Sequence, residues 1–366
     1  MLKYYRSTLL LVVSLLFAIG LAMIFDTSSA EVLDHALERS THQALVKQIL
    51  YAFGGILLAT IIFKFGYKKI IFISPYLLGF FCLLLVAVLI PGVGREVNGS
   101  KRWIALAGFS FQPSEFVKYI VPIFLTYYVT VFPAETMDLK RFCKMVAIAA
   151  LPMVLIIVEP NNGTAGVIFV TTIVMCVITR IRFKYWALPL SILMVVGAVS
   201  AYNLPYVTAR LNVYLHPELD IRGKGHQPYQ AKIAAGSGQF WGRGPGSSLQ
   251  KLSYLPEAQN DYIAAIYAEE FGFIGMIVLI FLYMMVAYLG FAAAHFAADL
   301  QGFYIATALT FLISFQAFMN LGVVSGLLPS TGLNLPFFSQ GGSSLMANIA
   351  AIGLLLNILD KKMVVN

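Results

Sequence analysis

Charge is what this sequence has least of. Asp, Glu, Lys and Arg make up 11% of its 366 residues, where soluble chains carry roughly 25%. That shortage excludes an ordinary soluble globular domain. Cysteine is scarce as well. Cys82, Cys143 and Cys176 are odd in number and far apart, so they supply neither a disulfide framework nor a metal motif. Small apolar packing is the role left to them. Strict alternation of apolar and polar residues is missing, which argues against a β-barrel. No internal repeat of fixed period and no low-complexity segment breaks the chain.

What the chain has instead is long apolar runs, with 59% hydrophobic residues. They predict an all-α polytopic membrane protein, one membrane domain over residues 1–366. Ten transmembrane helices are expected, at about 7–26, 46–65, 70–91, 114–133, 142–159, 163–181, 184–202, 267–291, 303–326 and 341–359. Lys3 and Arg6 ahead of the Leu9–Phe25 run resemble the start of a secretory signal peptide. The run is long enough to span, so an uncleaved first helix is expected. An even number of spans puts both termini on one side. Lys64, Lys68, Lys69, then Lys140, Arg141, Lys144, then Arg180, Arg182, Lys184 fall on that side, joined by Lys361 and Lys362. The positive-inside bias makes it cytoplasmic. The net charge of +8 therefore speaks to topology first and to anionic partners second. The opposite side carries one large extracytoplasmic loop, about 203–266 and including Arg210, too small to be a separate domain. Arg95, Lys101 and Arg102 also lie on that side, in a connection short enough for the bias to disfavour them. They need another task.

Four stretches concentrate chemistry. Gly236 to Gly275 holds Glu257, Asp261, Glu269 and Glu270 beside an apolar run, and intramembrane carboxylates are costly. Its glycines at 236, 238, 242, 244 and 246 would let backbone approach a ligand closely, although they match neither a Walker motif nor a dinucleotide fingerprint. Arg243 and Lys251 add charge. Asp261, just ahead of the span, is either an N-cap or a part-buried carboxylate reachable from outside. In 98–118, Pro113 suits a first helical turn and Ser114 can cap it. Glu115 and Lys118, three apart, share a face. They form either an ion pair with Lys118 snorkelling or, with Arg102, a cationic site for an anionic headgroup. Trp103 is expected at the membrane interface. In 159–166, EPNNGTAG, a tight turn sets Glu159 at the membrane edge, with Asn-Gly to supply positive φ. In 329–344, irregular backbone at membrane depth must be buried or line a cavity. Gly341–Ser344 then opens the last helix, whose N-terminus can hold a phosphate. That brings in Ser343 and Ser344.

Taken jointly, GSKRWI at 99–104, FQPSEFVK at 111–118, EPNNGTAG at 159–166, YLPEAQNDYIAA at 254–265, EEFGFIG at 269–275 and LPFFSQGGSS at 335–344 resemble the SEDS family. The name stands for shape, elongation, division and sporulation; FtsW, RodA and SpoVE are its groups. The motifs occur in family order over essentially the whole chain. Tyr254-Leu-Pro-Glu-Ala and Glu159-Pro look more like the FtsW branch than RodA. The resemblance implies a peptidoglycan glycosyltransferase in the bacterial inner membrane that polymerises lipid II, paired with a class B penicillin-binding transpeptidase and with other division or elongation proteins. Nucleic acid is not expected as a partner. The family's essential aspartate falls on Asp261. Its glutamate and lysine fall on Glu115 and Lys118, and its basic residue before the tryptophan on Arg102. The chain departs from the pattern at Gln259-Asn260, where His-Thr is usual, at Asn161, where aspartate is usual, and at Gln340, where tyrosine is usual.

Forming a β-1,4 bond from an α-linked polyprenyl pyrophosphate inverts the anomeric carbon, so one displacement suffices. It needs one base for the attacking hydroxyl, expected at Asp261. Pyrophosphate leaves readily, so cations must meet its developing charge; Arg102, Lys118, Lys232, Arg243 and Lys251 are the candidates. This differs from glycoside hydrolysis with its two carboxylates. A divalent cation, Mg²⁺ or Mn²⁺, is compatible with the chemistry, but no dedicated ligand motif is present. Two other functions stay open from the residues. A lipid II flippase would use cationic contacts without a base at the outer mouth. A non-catalytic scaffold recruiting a transpeptidase would need neither.

Overall fold

The computed structural model describes residues 2–35, 41–97, 100–106, 108–203, 208, 212–215, 225–251, 255 and 258–360. Arg210, Tyr254, Glu257, Lys361 and Lys362 lie outside them. Long helices run over Leu2–His35 (α1), Gln43–Phe65 (α2), Tyr67–Leu89 (α3), Pro113–Val131 (α4), Leu139–Val158 (α5), Asn162–Ile178 (α6) and Phe183–Tyr202 (α7). A short helix, His226–Ser237 (α8), precedes Ile263–His295 (α9), Leu300–Val324 (α10) and Gly342–Asp360 (α11). Seven of them, α1 to α3, α5 and α9 to α11, are long and apolar enough to cross a membrane. The chain is a polytopic helical membrane protein. A helix stands at each place where a span was expected, but α6 has only 17 residues and α4 begins with a charged turn.

One element departs from an all-α reading. Residues Gly94–Val97 (β1), Ser100–Leu106 (β2) and Phe109–Phe111 (β3) form a small antiparallel sheet, ordered β1-β2-β3. Arg95 pairs with Trp103, and Ile104 with Phe111. The Arg102 side chain thus stands on a strand, which holds it more rigidly than a loop would.

Side-chain caps open several helices. Asp138 accepts from Arg141 N, Asn161 from Thr164 N and Asp299 from Gly302 N, each satisfying a donor that the first turn leaves unpaired. Between helices, small residues allow close approach, as is common in membranes. A Cβ on Gly353 of α11 would lie 2.8 Å from the Ala59 carbonyl of α2, and one on Gly290 of α9 would lie 2.3 Å from Thr310 Oγ1 of α10. Large apolar side chains such as Phe53, Phe80, Leu83 and Phe281 point outward, where lipid replaces water. Helix α9 is kinked. Gly272 takes φ 62°, ψ −160° within it, a conformation open to glycine but costly for other residues.

Candidate active site and the buried polar clusters

The turn before α9 carries Asp261. It is not the N-cap: that position falls on Tyr262, which makes no side-chain cap bond. Asp261 instead lines a cavity of about 260 Å³ with Gln227 and Pro228 of α8, Asn320 and Val323 of α10, and residues 330–333. Irregular backbone after α10 thus does line a cavity, as its depth requires. Asn320, 2% exposed, stitches two walls together. Its Nδ2 donates to the Asp261 carbonyl at 2.8 Å and to the Leu333 carbonyl at 2.7 Å. Gln340 N adds a bond to the Gln259 carbonyl at 2.9 Å. Two buried polar atoms of cavity-lining residues, Asn320 Oδ1 and Thr331 Oγ1, have no partner among the described residues. Buried polar atoms are normally satisfied, so unpaired ones at a cavity mark room for a ligand.

Glu115 and Lys118 share a face of α4, as their spacing requires. Lys118 Nζ lies 2.7 Å from Glu115 Oε2 and 2.8 Å from Gln316 Oε1 of α10. Lys118 is 0% exposed, so it does not snorkel; it is a buried cation neutralised by a carboxylate. Gln316 passes the connection on, donating to the Asn334 carbonyl at 2.7 Å. Gln316 and Asn320 stand one turn apart on α10 and both hold the 333–334 backbone. Ser114 is not the cap of α4, which is Gln112. Its hydroxyl accepts from Gln112 Nε2 and Asn161 Nδ2 instead.

The 159–161 turn is held from the sheet. Arg102 Nε donates to the Glu159 carbonyl at 2.9 Å, and its guanidinium also reaches the Pro160 carbonyl. The Glu159 carboxylate is fully buried, with both oxygens unpartnered among the described residues. Burial lifts it to about 8, against a downward pull from Arg102. The Asn-Gly pair does not supply positive φ here; both residues begin α6. Gly163 serves close packing, since a Cβ would fall 2.4 Å from the Thr331 carbonyl on the cavity wall.

The glycine-rich segment docks on the kink in α9 rather than on a ligand. A Cβ on Gly238 would lie 2.0 Å from the Ala268 carbonyl, and one on Gly242 would lie 2.1 Å from the Glu270 carbonyl. Arg243 N and Gly244 N bond the Glu269 and Glu270 carbonyls. The two carboxylates then close the contact. Lys251 Nζ bridges Glu270 at 2.8 Å and both Asp26 oxygens of α1 at 2.7 Å. Glu269 takes the Ser248 hydroxyl, two backbone N–H groups and, at 3.5 Å, Arg243 Nε. Ser343 accepts from Gln112 N and donates to the Ser110 carbonyl, while the buried Ser344 hydroxyl has no partner among the described residues. The Tyr51 ring lies where a Cβ on Gly342 would go, so protein covers this helix start. Lys232, on cavity-lining α8, lays its stem across Gly326.

Of the candidate residues, then, the structure sets Asp261 on the cavity wall and Lys232 on a helix that lines it. Arg102 and Glu159 form one cluster, Glu115 and Lys118 a second, and Arg243 and Lys251 a third. Asn320, Gln316 and Asp26 were not among the candidates. Two amides four apart on an apolar span share a face, which is the signal that Gln316 and Asn320 offered.

A helical membrane bundle with buried ion pairs and a carboxylate on the wall of a cavity describes a class of membrane enzyme or carrier. The particular family follows from comparison. Residues 6–363 match the FtsW/RodA/SpoVE family, described as cell cycle proteins, and the chain belongs to it. It is 38% identical over 351 residues to a protein of Nitrosomonas europaea named probable peptidoglycan glycosyltransferase FtsW, covering 94% of this chain and 90% of that one. Stage V sporulation protein E of Bacillus subtilis is 37% identical over 352 residues, with 96% and 95% covered. A chain from a structure titled as the structural coordination of polymerization and crosslinking by a peptidoglycan synthase complex superposes with TM-score 0.76 at 26% identity, covering 96% of each. Thermus thermophilus rod shape determining protein RodA shares the fold, at TM-score 0.69 and 24% identity, with 96% of this chain and 95% of that one covered.

Proposed function

We propose that this protein is a peptidoglycan glycosyltransferase that polymerises lipid II into β-1,4 glycan strands, with Asp261 as general base. One observation carries the assignment of the site: Asp261 shares a cavity wall with Asn320 and Thr331, whose unpaired polar atoms can receive a hydroxyl-bearing sugar. The Asp261 carboxylate takes the proton of the attacking hydroxyl. The bond to the anomeric carbon forms as the bond to pyrophosphate breaks, in one inverting displacement. Lys118 and Lys251 are enclosed by carboxylate partners in this conformation. Lys232, on the cavity-lining helix, is therefore the cation assigned to the leaving group. Among the described residues no three His, Cys, Asp or Glu side chains gather as metal ligands. No step is assigned to a metal.

All ten long helices cross the inner membrane in this reading, with both termini cytoplasmic and the 203–262 connection outside. A class B penicillin-binding transpeptidase is the expected partner, within the division or elongation machinery. The test is lipid II polymerisation by purified protein with its transpeptidase. Asp261→Asn keeps shape and removes basicity, so polymer formation is expected to fall by about 10²–10⁴-fold at normal membrane abundance. Polymer of wild-type length and rate from that variant would sink the assignment.

A further inference from the structure

The segment that docks on α9 also carries large apolar side chains outward. Trp241 is 77% exposed, and Phe240 and Leu249 are each 53% exposed. The Phe240 ring lies edge-on to Trp241 at 5.3 Å and 5.9 Å from Phe273 of α9. Phe273 is itself exposed, beside Ile274, Ile277, Phe281 and Met284 along a helix long enough to span. The aromatic tip and the outward face of that helix form one continuous apolar surface.

The backbone beneath the tip suits a position in lipid, where every N–H and C=O needs an internal partner. Phe273 N and Ile274 N, freed by the kink at Gly272, donate to the Gln239 and Phe240 carbonyls. Gly242 N bonds the Gly238 carbonyl. Phe273 lies ten residues along α9 from Ile263, about 15 Å at 1.5 Å per residue. In water a Trp–Phe pair this exposed would be an association hazard. At a membrane boundary it is well placed, with apolar rings in the acyl region and the indole N–H among headgroups.

We propose that residues 239–249 dip into the bilayer, seating Phe240, Trp241 and Leu249 at the headgroup–acyl boundary on the side of the large loop. Helix α8 joins this anchor to the site. Its C-terminal end leads into the tip, and its N-terminal Gln227 and Pro228 line the Asp261 cavity. The membrane thereby fixes the height of one cavity wall.

The chain has three tryptophans, Trp103, Trp186 and Trp241, so fluorescence tests the proposal directly. The full chain is placed in nanodiscs of ordinary or brominated phosphatidylcholine. In a Trp103→Phe/Trp186→Phe variant, Trp241 is expected to emit blue-shifted light that brominated lipid quenches and acrylamide does not. Trp241→Phe alone, which keeps the other two, is expected to lose that same lipid-quenched component, so the result does not depend on the double variant folding. Water-like emission from Trp241, open to acrylamide, overturns the proposal. Protection that arises only after a transpeptidase is added overturns it too, because the surface then belongs to a protein partner.

Discussion

Two buried polar clusters in this protein follow opposite rules. In the latch between Lys251, Asp26, Glu269 and Glu270, each charged group meets a partner: three oxygens around one ammonium, and a serine, backbone N–H groups and an arginine around Glu269. Around the cavity and the turn beside it, polar atoms are left over among the described residues: Asn320 Oδ1, Thr331 Oγ1 and both oxygens of Glu159. Both regions contain costly intramembrane or buried charge. The difference lies in completion. A completed cluster holds helices and loop together, whereas an incomplete one keeps hydrogen-bonding capacity for something else. Glu269 and Glu270 were conspicuous in the sequence, yet they belong to the completed kind.

Substitutions can break this contrast, and the largest loss of stability is expected in the latch. Lys251→Met leaves the buried Glu270 and the part-buried Asp26 without their cation, and breaking a buried pair typically costs about 3–5 kcal/mol. Thermal unfolding in detergent should show a large drop, partly restored by adding Glu270→Gln. An unchanged melting temperature would mean that the latch is not a completed structural cluster. At the cavity the balance should reverse. Asn320→Leu removes two hydrogen bonds to carbonyls and is expected to cost about 1–3 kcal/mol. Its polymerisation rate should fall further than that loss of stability accounts for, because the Asp261 turn loses its tether. Rate and melting temperature measured on one preparation separate the two effects.

No loss of stability is expected at Glu159, where the effect is a change in pH dependence. Its folded-state value of about 8 stands above the ordinary 4.5, so the folded protein keeps a proton that the unfolded chain has released. That stabilisation is complete below pH 4.5 and is lost as pH rises through about 8. Glu159→Gln mimics the protonated form. Having no proton to lose, it should flatten the decline in melting temperature between about pH 4.5 and 8 and melt above the wild type at pH 7. Parallel wild-type and variant curves from pH 5 to 9 would show that Glu159 does not titrate as its burial requires.

Helices were legible because apolar runs of spanning length have few alternatives, and Pro113 sits where a helix start needs it. The Glu115–Lys118 pair was legible from its three-residue spacing. The sheet at 94–111 was not, because its strands are short and carry charge on a connection that composition marks as a loop. The role of the glycines was misread in one respect. Gly238 and Gly242 do make a close backbone approach, but the object approached is α9, and nothing local distinguishes a helix from a ligand.

The sequence by itself determined the membrane class, the helical order, the family and Asp261 as the residue to test, since these rest on local composition, spacing and motif. Only the tertiary structure decided which charges are spent internally. Asp26 and Lys251 are 225 positions apart, and Lys118 and Gln316 are 198 apart. Pairing over such distances depends on how helices pack, and a buried cation reads the same in sequence whether a carboxylate already neutralises it or a ligand has yet to arrive.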